Sequence, residues 1–373
     1  MDTNKLLQER TDRIMKAIHH EKPDRTPLVL NGSVAMMKHT DPNSTTGMYV
    51  RDPISCLNNL IVPALEKLPN IDMLTGAGMW PGATGMAWMC KTKLPGRELP
   101  EDALWQLDEQ NFMTRDDYDI ILDKGWDDYY LDIMVNRMGY DLETLAFSGK
   151  CGAETNRVMS ELGYPVALYG GGMSQCVVDK LTSARGTVGF FRDMRQIPDK
   201  LMAVIDCMME AECAAVQKSI ESCEKGTIFT VTPAIRCTCD YISREMFEKF
   251  IWPAQSKTTW MMLDAGMYVF FHNDSNWNDF LDFYQDFPAD RCIYDSDGQT
   301  DIYKIKEMLG DKMCITGNVS PALLSLGTPD EVYNFCRKQI EDMGPGYILS
   351  GSCTLPCNTK PENLDALNAA VAG

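Results

Sequence analysis

His272-Asn273-Asp274 places a histidine and a carboxylate at the end of an apolar run. Side chains of an extended chain alternate sides, so His272 and Asp274 face the same way. An imidazole nitrogen and a carboxylate oxygen on one side could share a metal ion. A sulfur donor follows in Cys353, behind Tyr347-Ile348-Leu349-Ser350-Gly351-Ser352, with Cys357 four residues on across Pro356. Cys237 and Cys239 also alternate onto one side, after a strand that ends near Pro233. None of these pairs has the spacing of a structural zinc knuckle. His272, Asp274 and Cys353 together would offer one nitrogen, one oxygen and one sulfur and leave a fourth tetrahedral position open, as catalytic zinc sites do. The same residues also read as a core histidine bonded to a carbonyl and as packed thiols.

Composition narrows the partners. The chain carries 53 acidic and 35 basic side chains, a formal charge of -18. Such a surface repels nucleic acid and anionic lipid and favours neutral or cationic ligands, or a protein with a complementary patch. Residues 1–9 are polar rather than signal-like, and no apolar run approaches the ~20 residues of a membrane span. The 14 cysteines are scattered through 373 residues, so they read as reduced thiols and the expected location is cytoplasmic. The histidines are His19, His20, His39 and His272, which leaves His272 alone beyond the first tenth or so of the chain.

These groups need a scaffold, and the second half of the chain supplies a regular one. Helical patterns over residues 198–223, 243–263, 276–287, 300–309 and 329–343 alternate with short apolar strands at 227–231, 267–271, 291–294, 313–316 and 347–350. Strands covered on both faces have this unbroken apolar character. Polar groups gather just after them, in His272-Asn273-Asp274, Asp295-Ser296-Asp297, Gly317-Asn318 and residues 350–353. Alternating β and α elements with polar strand ends predict a (β/α)8 TIM barrel whose site lies at the carboxyl ends of the strands. An open doubly wound sheet is weaker, because no glycine-rich nucleotide loop follows the first strand. Residues 6–19 read as an amphipathic helix and 26–30 as a strand. The expected organisation is one barrel over 1–373, with an N-terminal helical extension at 1–26. Residues 41–139, with the glycine-rich run Gly76-Ala77-Gly78-Met79-Trp80-Pro81-Gly82, predict helices, loops and a hairpin inserted at the barrel mouth.

Longer motifs carry a resemblance. Arg13-Ile14-Met15-Lys16-Ala17-Ile18 is followed by Lys22-Pro23-Asp24-Arg25-Thr26-Pro27. Later come Gly317-Asn318-Val319-Ser320-Pro321, Gly327-Thr328-Pro329-Asp330-Glu331-Val332, residues 346–353 and Pro361-Glu362-Asn363-Leu364. Across nearly its whole length the chain resembles the uroporphyrinogen decarboxylase superfamily of (β/α)8 barrels. True decarboxylases carry an arginine-rich segment after the first strand. Here Leu30-Asn31-Gly32-Ser33-Val34-Ala35-Met36 has no arginine, and the net charge opposes a polycarboxylate.

The resemblance points instead to the zinc-dependent, corrinoid-linked methyltransferases of the superfamily. Their zinc sits on a His-x-Cys pair and a later Cys, which match His272 and Cys353, with Asp274 departing from the middle position. The segment Leu94-Pro95-Gly96-Arg97-Glu98-Leu99-Pro100-Glu101-Asp102-Ala103-Leu104-Trp105-Gln106, with Asp117-Tyr118-Asp119 beyond it, resembles aryl methyl ether O-demethylases of anaerobic bacteria. The implied cofactors are Zn2+ and a corrinoid carried by a small partner protein. The implied substrate is a small methoxylated aromatic. In that scheme Asp295 or Asp297 donates a proton or binds substrate, Asn318 contacts the cofactor or orders its loop, and Trp80 and Tyr118 offer stacking surfaces unless they pack in the core or a lid. A homodimer fits as well. The other readings are a methylcorrinoid-to-thiol methyltransferase and a porphyrinogen decarboxylase-like or non-catalytic family member.

Overall fold

The computed structural model describes residues 2–76, 80–108, 111–169 and 173–373. Residues 77–79, in the glycine-rich run expected at the mouth, lie outside them. Eight parallel strands form the scaffold: β1 (Val29–Asn31), β2 (Met73–Thr75), β3 (Met173–Gln175), β4 (Ile228–Thr232), β5 (Tyr268–Asn273), β6 (Cys292–Ser296), β7 (Cys314–Val319) and β8 (Tyr347–Gly351). Strands β3 to β8 pair in sequence order into one sheet, and β1 pairs with β2. A parallel bridge between Leu28 and Leu349 joins the two groups, so the spatial order runs β2-β1-β8-β7-β6-β5-β4-β3. This is the strand order of a (β/α)8 barrel.

The row curls round a shared interior. Val29, Met73, Ile228, Ile293, Cys314 and Ile348 come from six different strands and pack in one buried cluster. Ile14, Ala17 and Ile18 of the helix Thr3–Ile18 complete that cluster. The N-terminal helix therefore seals the amino-terminal end of the barrel with its apolar stripe. Two residues further along the strands the interior turns polar. His272 lies beside Asp295 in register, and Asn318 beside Ser350. Alternation along each strand keeps these positions on the same face as the apolar cluster below.

The outer layer follows from helix periodicity. In the helix Pro198–Glu221, Leu201, Val204, Ile205, Met208, Met209, Val216 and Ile220 are buried, a stripe spaced by three and four residues. Thr328 and Glu331 form a reciprocal capping box at the start of the helix Pro329–Met343, which explains the Gly327-Thr328-Pro329-Asp330-Glu331 motif. Other elements depart from the periodic pattern. The helix expected over 243–263 divides into Arg244–Phe250 and Trp252–Asp264, because Pro253 lacks the N–H that would continue it. The helix expected over 276–287 shrinks to a 3-10 turn, Leu281–Asp286. There the Asn276 side chain accepts from the Asn278 N–H at 3.0 Å, a local bond that competes with helix. The hairpin expected within 41–139 is Lys91–Lys93 against Gln106–Asp108. Among the described residues no helix is long and apolar enough to cross a membrane.

One buried carboxylate ties the sealed end together. Asp72, fully buried before β2, receives Arg13 Nη1 at 2.5 Å, Arg25 at 2.8 and 2.9 Å, and the Leu28 N–H at 2.9 Å. Arg13 also grips Asp24 at 2.7 and 2.6 Å and holds that carboxyl down at about 2. The Arg13 and Lys22-Pro23-Asp24-Arg25 motifs are thus structural, joining the helix, its loop and the first two strands. Removing one partner of a buried ion pair strands the other charges. Asp72→Ala is therefore expected to lower unfolding free energy by about 3–5 kcal/mol in denaturant titration. A loss below about 1 kcal/mol, the range of exposed pairs, would show that the network contributes little.

Candidate metal centre

His272 is the penultimate residue of β5, and its ring enters the polar end of the barrel. Its neighbour in register on β6 is Asp295, whose Oδ2 lies 2.6 Å from His272 Nδ1. A carboxylate only accepts, so this contact places the ring proton on Nδ1 and turns Nε2 the other way. Nε2 faces Cys353 Sγ at 3.4 Å and Asp274 Oδ1 at 3.7 Å. Ligand atoms of His272, Asp274 and Cys353 all lie within 4.8 Å of one another. Asp274 Oδ1 is buried and has no hydrogen-bond partner among the described residues. A nitrogen, a sulfur and an unsatisfied oxygen thus converge from β5 and the loop after β8.

Burial sets the electrostatics. It disfavours the His272 imidazolium, but hydrogen bonds and charge from Asp295 and Cys353 outweigh it and hold His272 well above its usual range. Burial pushes up Asp274, Asp295, Asp297 and Cys353, with His272 pulling each of the four back down only in part where it opposes the shift. The cluster is therefore an interlocked set whose protons are shared unevenly.

The other expected groups have distinct positions. Asp295 is engaged by His272, so it orients the ring. Asp297 accepts from the Ser275 and Gln299 N–H groups, each at 2.9 Å, and fastens the loop after β5 to the loop after β6. Asn318 stands near the end of β7 with a buried Oδ1 that has no partner among the described residues. Gly317 before it has φ of 116°, and a Cβ there would meet the Ser296 carbonyl at 2.4 Å, so only glycine lets β7 approach β6 at this level. Trp80 donates to the Val50 carbonyl at 2.9 Å and meets Phe147 edge-on, with ring centroids 4.9 Å apart. Tyr118 packs in the core, the alternative that its sequence left open: its side chain is fully buried and its hydroxyl donates to Asp193 Oδ2 at 3.1 Å, so it offers no stacking surface. Cys237 is fully buried, and Cys239 Sγ donates to the Asn276 carbonyl at 3.0 Å. Neither belongs to the His272 group.

Asp179 was not legible as a site residue. It sits in the first turn of the helix Val177–Arg185, directly after β3, and accepts from the Ile235 N–H at 3.1 Å. Burial raises it to about 7, against Arg236 and with Asp274 adding to the rise. The three-residue β3 gives too little periodicity to mark the position.

The sequence profile of uroporphyrinogen decarboxylase (URO-D) matches residues 157–373. No curated protein sequence matches the chain. The solved structure of a methyltransferase from Methanosarcina mazei superposes with a TM-score of 0.64 at 17% identity, over 97% of this chain and 98% of that one. That likeness supports the barrel fold.

The electrostatics can be read directly in metal-free protein. His272 should remain protonated above the usual histidine midpoint of about 6.5, as followed by imidazole NMR with His272→Ala as the assignment control. Asp295→Asn should move that midpoint down, since it removes the charge that favours the imidazolium. An unchanged midpoint in Asp295→Asn would deny Asp295 its hold on the ring.

Proposed function

The chain belongs to the uroporphyrinogen decarboxylase family, and we propose that it is a zinc-dependent methyltransferase that moves the methyl group of a methoxylated aromatic to the corrinoid of a partner protein. The carrying observation is the convergence of His272, Asp274 and Cys353, with Asp274 Oδ1 buried and unpartnered. A donor set of one nitrogen, one oxygen and one sulfur fits zinc with a position left for substrate. The methyltransferase identity of the Methanosarcina mazei neighbour supports the reaction class.

Zinc, when bound, supplies a Lewis acid for the ether oxygen. His272 would contribute Nε2, held in direction by Asp295. Cys353 would contribute its thiolate and Asp274 an oxygen, which donates less charge than a second thiolate and favours Lewis acidity. In such a transfer the ether C–O bond would break with both electrons staying on the phenolate, and the partner's reduced corrinoid would supply the electron pair for the methyl group. Asp179, Asp274, Asp295 and Asp297 make the mouth rich in carboxyl groups, which suits a neutral aromatic ether better than a polyanion. The absence of arginine from residues 30–36 is in keeping with that preference. A thiol substrate would suit a sulfur-rich shell, whereas Cys353 alone supplies sulfur to this group.

Untagged protein should contain zinc, and with a reduced corrinoid protein it should demethylate a methoxylated aromatic. His272→Ala and Cys353→Ala should each lose zinc by metal analysis and lose methyl transfer together, with the circular dichroism of the barrel retained. Full zinc content and full transfer in both variants would discard the metal site. Methyl transfer without any corrinoid protein would discard the acceptor.

A further inference from the structure

Cys353 follows the end of β8 by two residues, on a loop, so something must aim its thiol. Two neighbouring strands hold that loop. From β7, the Val319 carbonyl accepts the Ser352 N–H at 3.1 Å and the Ser352 hydroxyl at 3.3 Å. From β1, Asn31 bonds three consecutive loop residues. Its Nδ2 donates to the Cys353 carbonyl at 2.7 Å and reaches Thr354 Oγ1 at 3.3 Å, and its own carbonyl accepts the Leu355 N–H at 2.7 Å.

The Asn31 side chain is itself held in place. It packs on Gly76, just beyond β2, where a Cβ would meet Asn31 Oδ1 at 2.2 Å and where φ is 71°. A glycine at that position leaves room for the amide to lie flat against the chain. The amide therefore bridges the ends of β1 and β2 to the backbone of Cys353. Fixing the carbonyl of Cys353 and the residues after it fixes the direction of its Cα–Cβ bond, and with it the approach of Sγ to His272 Nε2.

We infer that Asn31 is a positioning residue for the Cys353 thiolate, acting through the loop backbone to set the sulfur's place in the metal centre. The inference rests on the zinc reading above and adds the residue that aims its sulfur ligand. Outer groups of this kind typically govern metal affinity by about 10–100-fold.

The test uses full-length protein loaded with Co2+, whose thiolate charge-transfer absorption reports the sulfur ligand, together with zinc competition titrations. Asn31→Asp keeps the size but removes the donor and sets an oxygen against the Cys353 carbonyl. Asn31→Gln keeps the donor and displaces it by one methylene. Both should weaken zinc binding by about 10–100-fold and diminish the thiolate band, with the melting temperature of the metal-free protein unchanged. Ser325→Ala, which removes an exposed bond to Asn358 further along the same loop and touches neither Asn31 nor Cys353, should keep both signals. A native band and native affinity in either folded Asn31 variant would overturn the inference. The reference is Cys353→Ser in the Asn31 background: if it matches the unaltered protein in affinity and band, the metal reading itself falls, and this inference with it.

Discussion

The hydrogen bond between His272 and Asp295 organises the polar end of the barrel. It connects neighbours in register on adjacent strands, so its 2.6 Å length follows from sheet geometry rather than from a mobile loop. An imidazole held at Nδ1 by a carboxylate has one free nitrogen and one permitted orientation. Cys353 and Asp274 then need only be brought to that nitrogen. Asp274 comes with β5 itself, two residues along the same chain. Cys353 comes from the loop after β8, which is tethered on both sides, to Val319 on one and to Asn31 on the other.

That arrangement depends on a division of labour along the barrel axis. The amino-terminal end is apolar, capped by Ile14, Ala17 and Ile18, and locked by Asp72 among two arginines. A closed, well-packed floor holds the strands in register, and register puts His272 beside Asp295 and Asn318 beside Ser350. Unsatisfied polar atoms such as Asn318 Oδ1 and Asp274 Oδ1 can then be carried at the opposite end, where a ligand can meet them. Stability is concentrated at one end of the same strands, and reactivity at the other.

How much of this could be read from the residues follows the length of each element. Strands of five or six residues, from β4 to β8, showed themselves as apolar runs, and their polar ends marked His272, Asp295 and Asn318. The three-residue β2 and β3 carry no usable period, so neither they nor Asp179 behind β3 could be seen, whereas the equally short β1 showed in the strand pattern of residues 26–30 that leads into it. Pro253 was visible but its break in the helix was passed over. For Tyr118 the residues left stacking and core packing open, because the contact that fixes its hydroxyl comes from Asp193, 75 residues away in sequence. Asn31 drew attention in the segment without arginine, not as a contact of Cys353. Its bonds to Cys353 span 322 residues and belong to the meeting of the first and last strands.

The electrostatics of the mouth add a constraint that distances alone do not contain. Four carboxyl groups, Asp179, Asp274, Asp295 and Asp297, are raised by burial, and mutual repulsion adds to the rise. The Cys353 thiol is raised as well. Without a cation, such a group lowers its energy by holding protons. A divalent ion reverses the preference, because it stabilises the thiolate and carboxylate that burial penalises. Binding must therefore displace protons, and the free energy of loading includes the cost of removing them. The same burial that makes the empty cluster hold protons strengthens each metal–ligand interaction once those protons leave, since screening by water is weak there. An acidic, buried mouth is thus a poor site for an anion, and a cation that entered it would have to replace its protons.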